Sequence, residues 1–95
     1  MIKGVGSIMV KKKVVIKNPT GLHLRPAGVL CSEAMKFSSK IIFRYKGEVA
    51  NTKSVLSVLG ACIKSGCEIE LICEGEDEEA ALEGMVAVIE SGLGE

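Results

Sequence analysis

The spacing of apolar residues changes repeatedly along this chain, and this change of period is the strongest constraint on its fold. Four stretches are β-rich or alternate apolar with polar residues as strands do, and three place apolar residues three and four positions apart as helices do. The strands are predicted at residues 10–16, 40–46, 48–51 and 68–74. The helices are predicted to begin near residues 23–25, at residue 54 and after residue 77. This order, βαββαβα, favours an α+β fold with a four-stranded sheet and its helices on one face.

Helical stripes supply much of the predicted core. Pro26 is tolerated only in the first turn of a helix, because its missing N–H has no partner there in any case. It therefore places the start of the first helix near His23–Arg25. The first helix should bury Ala27, Leu30, Cys31, Ala34 and Met35, and the last should bury Leu82, Met85, Val86 and Ile89.

Short polar residues and glycines mark the ends of the elements. Ser54 and Asp77 suit the N-caps of the second and third helices, whereas Gly60 and Gly92 suit their C-terminal ends. Glu78 in the first turn of the last helix complements the helix dipole. Lys46-Gly47 is predicted to form a hairpin turn between two strands.

The length and composition indicate one folded domain. A chain of 95 residues with 47% hydrophobic residues has room for one core and is too apolar to be disordered. Residues 1–9 have no clear period and are predicted to be a loose N-terminal extension of a domain at residues 10–95. The longest uncharged run has ten residues, far fewer than the roughly 20 that span a bilayer, and no secretion signal is visible. These features predict a cytoplasmic protein without membrane insertion.

Opposite charges are concentrated in the two halves of the chain. Residues 1–47 contain ten basic and one acidic side chain, a net charge of +9, and residues 48–95 contain two basic and eleven acidic side chains, a net charge of −9. The total is zero, which disfavours direct nucleic-acid binding through net charge. The uneven distribution is compatible with a local basic surface for an acidic protein partner.

The cysteines do not form a familiar metal motif. Cys31, Cys62, Cys67 and Cys73 contain no C-x-x-C pair, and the chain has one histidine. We expect reduced thiols, no metal site and no cofactor. A small metal- or thiol-using binding domain is the alternative from another class of function.

His23 is the strongest candidate for chemistry. A side chain at the start of a helix faces unpaired backbone N–H groups and the positive end of the dipole. This environment favours a neutral, nucleophilic imidazole and would stabilise a phosphoryl group attached to it. Arg25 adds a charged fork of donors suited to phosphate oxygens. An unreactive surface histidine beside a helix cap is the alternative interpretation of the same residues.

Four segments of the chain resemble one family. Gly21-Leu22-His23-Leu24-Arg25-Pro26-Ala27 is similar to the active-site motif of the histidine-containing phosphocarrier (HPr) family of the bacterial phosphoenolpyruvate-dependent sugar phosphotransferase system. Asn51-Thr52-Lys53-Ser54-Val55-Leu56 resembles the regulatory serine segment of that family. Residues 75–78 and 91–95 resemble the last-helix region of its Gram-positive members. The resemblance covers residues 10–95 and implies an open-faced β-sandwich, βαββαβα, with an antiparallel sheet.

The resemblance implies a carrier rather than an enzyme. His23 would accept a phosphoryl group on Nδ1 from phosphorylated Enzyme I and pass it to the IIA component of a sugar transporter. Arg25 would balance the phosphate charge, and Pro26 would fix the helix start. Leu24 departs from the family, which usually has a small residue or Thr at this position.

The resemblance also implies regulation and docking. Ser54 would be phosphorylated by an HPr kinase/phosphorylase, and a catabolite-control transcription regulator would be a further partner. Leu24, Val55, Leu56 and Leu59 would contribute to the docking surface of a monomeric protein. A regulatory HPr paralogue that acts only by binding partners is the alternative, although the chain retains His23.

Overall fold

Seven elements follow one another along residues 9–95, the part of the chain that this computed structural model describes. The strands are β1 (Val10–Val15), β2 (Lys40–Tyr45), β3 (Glu48–Asn51) and β4 (Glu68–Glu74), and the helices are α1 (Leu24–Ala34), α2 (Val55–Gly60) and α3 (Glu78–Glu90). This order confirms the predicted βαββαβα fold. The predicted N-terminal extension, except for Met9, lies outside the described residues.

All neighbouring strands of the sheet are antiparallel, in the order β1-β4-β2-β3. β4 is central, and its alternation turns Ile69, Leu71 and Cys73 toward the core, as predicted. The β2–β3 hairpin closes through Lys46 and Gly47, with φ values of 51° and 82°. Two successive residues with positive φ are typical of a type I′ turn, whose backbone twist matches that of the two strands it joins. The predicted hairpin turn is therefore confirmed.

The helices cover one face of this sheet and enclose the core. α3 packs on β1 and β4, α1 packs on α3, and α2 lies against α1 and β3. Leu30, Phe43, Leu71, Met85 and Ile89 are completely buried between these layers. Burial of each such side chain stabilises the fold by roughly 1.5–3 kcal/mol. The packing therefore fixes α1, and with it the position of the helix start that follows His23.

The apolar stripe of α1 is narrower than predicted. Ala27, Leu30 and Ala34 are buried and Cys31 is half-buried, but Met35 is 63% exposed. The helix ends at Ala34, and Met35 is the C-cap residue, one position beyond the last residue of the helix. The prediction that Met35 is buried was therefore wrong.

Gly60 ends the second helix, as predicted, but it does so without the left-handed backbone conformation that favours glycine. Gly60 is the last residue of α2, Ala61 is the C-cap, and the left-handed residue beyond it is Cys62, with φ at 56°. The end of α2 is thus set by the chain turning back toward β4, and it does not use the conformational freedom of glycine.

Asp77 occupies the predicted N-cap position of α3, but its side chain does not cap the helix. Its carboxylate accepts hydrogen bonds from the backbone N–H groups of Ser38 and Ser39, each at 2.9 Å, and from the Ser39 hydroxyl. These bonds, the Ser39 hydroxyl first, lower the pKa of Asp77. Asp77 therefore joins the start of α3 to the loop before β2.

Glu78 takes part in holding the start of α3. It lies in the first turn, as predicted, but is 1% exposed, and its Oε1 accepts a hydrogen bond of 3.0 Å from the Gly75 N–H.

No helix within residues 9–95 has the length and apolar character needed to cross a membrane.

Candidate functional site

His23 is the N-cap residue of α1, as the sequence predicted. Its backbone is extended, with φ at −74° and ψ at −175°, and its carbonyl accepts the first helical hydrogen bond from Ala27 at 2.8 Å. Its side chain makes no capping hydrogen bond and is exposed. The imidazole is therefore free to react, because the backbone of His23 starts the helix without it.

Two backbone donors of the first turn are available beside His23. Ala27 donates to His23, and Pro26 has no N–H, so Leu24 and Arg25 carry the first-turn N–H groups that lack an acceptor within the helix. Pro26 is buried, and its ring fixes the backbone at the helix start. Both free N–H groups and the helix dipole favour an anion at this point.

Arg25 supplies the positive charge of the site. Its side chain is exposed, and within residues 9–95 it forms no ion pair. The charge of Arg25 contributes to a lowered pKa of Glu95, for which hydrogen bonds from Asn18 and Thr20 are the larger causes. The guanidinium is thus available for a bidentate contact with phosphate oxygens.

The loop before His23 is held by a close backbone approach. Gly21 has φ at 69°, and an added Cβ would lie 2.5 Å from the carbonyl oxygen of Ile63. The next residue, Leu22, is buried and donates its N–H to that same oxygen at 2.9 Å. Only glycine fits this position without displacing the loop that follows α2.

A second support of the loop comes from Glu95, 77 positions away from Asn18 in the sequence. Asn18 donates from Nδ2 to Glu95 Oε1 at 2.9 Å and to the Gly21 carbonyl at 2.7 Å. The Thr20 hydroxyl lies 2.8 Å from each oxygen of the Glu95 carboxylate. The sequence alone did not indicate that Asn18, Thr20 and Glu95 belong to the site. The sequence Asn-Pro-Thr-Gly at residues 18–21 is typical of a turn, but no local pattern indicates that Glu95 is its partner.

Ser54 lies at the N-cap of α2, as predicted. Its Oγ accepts a hydrogen bond of 3.2 Å from the backbone N–H of Ser57, and its own N–H donates to Asn51 at 3.0 Å. The preceding residues are held as well, since Thr52 Oγ1 donates to the Ile41 carbonyl at 2.7 Å and Lys53 Nζ donates to that of Phe37 at 2.6 Å. Ser54 is half-buried in this rigid corner.

The predicted docking residues differ in exposure. Leu24 is 69% exposed and Leu56 is 82% exposed, whereas Val55 and Leu59 are half-buried and pack on the core. Leu24 begins α1 and Leu56 lies on α2, and these two helices contact each other. Leu24 and Leu56 are therefore the two members of this set that offer most of their surface to a partner.

The cysteines lie in different environments. Cys73 is buried, Cys31 and Cys67 are half-buried, and Cys62 is exposed, and all four thiols are free. Burial, reinforced by Glu78 and Asp77, raises the pKa of Cys73 to about 11. A hydrogen bond with Tyr45 at 3.3 Å is the main cause of the lowered pKa of Cys67. Among the described residues, no group of three or more His, Cys, Asp or Glu side chains is placed to hold a metal ion.

The comparisons with known proteins agree with the geometry. The family model described as "PTS HPr component phosphorylation site" matches residues 10–91. The HPr-like protein Crh of Halalkalibacterium halodurans is 43% identical over 82 residues, which are 86% of this chain and 98% of that protein. The phosphocarrier protein HPr of Lysinibacillus sphaericus is 38% identical over 86 residues, which are 90% and 98% of the two chains.

A solved structure gives the same assignment. HPr-C-His from Thermoanaerobacter tengcongensis matches with a TM-score of 0.87 and 38% identity, over 90% of this chain and 97% of the other. The fold, the histidine at a helix start and the family match over residues 10–91 all agree. The chain belongs to the HPr family, the phosphocarrier proteins of the phosphotransferase system.

Proposed function

We propose that His23 accepts a phosphoryl group from phosphorylated Enzyme I and donates it to the IIA component of a sugar transporter. One observation carries this proposal: the His23 backbone caps α1 while its imidazole makes no capping hydrogen bond and remains exposed. The proposed acceptor nitrogen is Nδ1, the ring nitrogen nearer the His23 backbone, which suits an acceptor at a helix start.

The proposed relay moves one phosphoryl group in two steps, from Enzyme I to His23 and then from His23 to IIA. The Nδ1 lone pair attacks phosphorus, the N–P bond forms, and the bond between phosphorus and Enzyme I breaks, with its electron pair remaining on Enzyme I. Arg25 and the free N–H groups of Leu24 and Arg25 then stabilise the phosphoryl oxygens on His23. Attack by IIA on phosphorus reverses these changes at His23. The protein is thus a reactant in a relay and not an enzyme.

A labelling experiment tests this role. The chain is incubated with Enzyme I and labelled phosphoenolpyruvate, and purified IIA is then added. We expect label on the chain, its movement to IIA, and no label on His23→Ala. Ser54→Ala is the matched control and should label like the natural chain. Normal labelling of His23→Ala would refute the assignment.

We propose further that Ser54 is a regulatory phosphorylation site for an HPr kinase/phosphorylase. A phosphate on Ser54 would add charge beside the exposed Leu56 without refolding the domain. Incubation with the kinase and ATP, followed by mass spectrometry of peptides, tests this. Modification of Ser54 is expected, and an unmodified Ser54 in a kinase preparation that modifies another HPr would contradict it.

A regulatory HPr paralogue that acts only by binding partners is the second candidate. It is favoured by the likeness to Crh and by the exposed apolar side chains Leu24 and Leu56. Its partner would be a catabolite-control transcription regulator that recognises the form phosphorylated on Ser54. Binding of that form, together with failure of Enzyme I to label His23, would favour this candidate over the relay.

We propose a monomer in solution, and light scattering of the purified chain tests that state.

A further inference from the structure

β1 has an open edge that none of the functions above uses. The strand is at the end of the sheet order, and within residues 9–95 it pairs on one side alone, with β4. Ile16, just beyond β1, bonds toward that side through its N–H to the Cys67 carbonyl at 2.9 Å. Since hydrogen-bonding direction alternates along a strand, Lys11, Lys13 and Val15 direct their backbone groups to the open edge. Such an edge can pair with an added strand.

A groove runs beside this edge on the helix face. It has a volume of about 360 Å³ and lies between β1 and α3, lined by Lys12, Leu82, Glu83, Val86, Ala87 and Glu90. Leu82 and Val86 are half-buried against the core and form its apolar floor. An added strand would direct every second side chain into this groove.

The paired side of β1 indicates what kind of strand fits. There, β4 places Glu70 opposite Lys13 and Ile72 opposite Lys11, while its alternate residues Ile69 and Leu71 are buried. The open side presents the same exposed lysines on the outer face and an apolar groove on the inner face. The groove lining contains one lysine, Lys12, and two glutamates, Glu83 and Glu90, so its net charge is negative and disfavours acidic side chains that point inward.

We propose that the open edge of β1 and the groove beside α3 bind an extended segment of a partner protein in which acidic residues alternate with aliphatic ones. The acidic side chains would lie beside Lys11 and Lys13, the aliphatic ones would contact Leu82 and Val86, and the main chain would extend the sheet. A second copy of this chain fits less well. Pairing β1 with β1 sets lysines against lysines, which is destabilising, and the other edge strand, β3, has four residues.

The test uses the full chain labelled with ¹⁵N and a capped heptapeptide, Glu-Ile-Glu-Leu-Glu-Val-Glu. We expect the amide resonances of β1 to shift with peptide concentration, and the binding to weaken as added salt shortens the screening length. The double variant Lys11→Glu/Lys13→Glu should bind at least roughly tenfold more weakly. Lys36→Glu/Lys64→Glu, which makes the same change in net charge outside β1, should bind like the natural chain. Thermal melting of both variants confirms that they fold.

Three results would overturn the proposal. They are the absence of β1 shifts at millimolar peptide, equal binding of Lys-Ile-Lys-Leu-Lys-Val-Lys, and undiminished binding by a folded Lys11→Glu/Lys13→Glu variant. In each case the lysines would serve only to keep the edge solvated and to prevent aggregation. His23 phosphorylation takes no part in this assay, so its outcome is independent of whether the relay proposed above is correct.

Discussion

The first turns of α1 and α2 are held in place in different ways. At α2, Ser54 accepts a hydrogen bond from the Ser57 N–H through its own side chain. At α1, the His23 side chain caps nothing. The chain there is held by Pro26, by the close contact of Gly21 with Ile63, and by hydrogen bonds to Glu95.

The Ser54 side chain thus has a structural role at its helix start, and the His23 side chain has none. Since support of the α1 start comes from the surrounding residues, the gain and loss of a phosphoryl group proposed for His23 would leave the helix in place. A phosphate on Ser54 alters the group that caps α2. A transfer site and a regulatory site are therefore expected to differ in how far they are coupled to local stability.

Of the variants that test this difference between the two helix starts, Gly21→Ala is expected to have the largest effect on stability. The new Cβ would meet the Ile63 carbonyl at 2.5 Å in a left-handed backbone conformation. We expect a loss of roughly 2–4 kcal/mol in the free energy of unfolding, measured by urea denaturation, and slower labelling of His23. Gly28→Ala in α1 is the control, because no atom lies within 4 Å of its Cβ position. Equal stability of the two variants would contradict the proposed support.

Ser54→Ala removes the side-chain cap of α2. The expected loss is about 1 kcal/mol in the free energy of unfolding, with unchanged labelling of His23. Ser54→Asp retains an acceptor for the Ser57 N–H and should restore most of the stability. An alanine variant as stable as the aspartate variant would show that the cap contributes little.

Glu95→Gln weakens the support of the loop before His23 in a pH-dependent way. Hydrogen bonds from Asn18 and Thr20 lower the pKa of Glu95 below its ordinary value of 4.5. A lowered folded-state pKa contributes stability above pH 4.5, and that stability is lost as the pH falls through the folded-state value. Denaturation curves of the natural chain and Glu95→Gln should differ at neutral pH and converge in acid. A difference that is constant with pH would contradict the role of the carboxylate.

Leu56→Glu should have the smallest effect on folding. The side chain is 82% exposed, so we expect a change within about 0.5 kcal/mol in the free energy of unfolding. Docking to Enzyme I should weaken, measured as a higher KM for the chain in the labelling assay. Val58→Glu, at a fully buried position of the same helix, is the contrasting variant and should unfold the domain. Cooperative destabilisation by Leu56→Glu would instead identify Leu56 as a core residue.

The two helix starts also show what the sequence could predict. Periodicity, Pro26 and Ser54 are local signals, so the order of elements, the α1 start and the α2 cap were predicted well. The Glu95 contacts with Asn18 and Thr20 depend on the packed tertiary structure, and no local pattern indicates them. The same holds for Asp77, whose carboxylate contacts Ser38 and Ser39 instead of its own helix.

The chemical identity of the phosphorylated residue tests the central claim most directly. The chain is phosphorylated by Enzyme I and phosphoenolpyruvate, and the sample is split into two portions. One portion is incubated in acid and the other in alkali, and the intact mass of the chain in each is then measured. The account predicts one phosphoryl group that is lost in acid, retained in alkali and mapped to His23. A phosphoryl group that is stable in acid, or one that maps to Ser54 under these conditions, would contradict it.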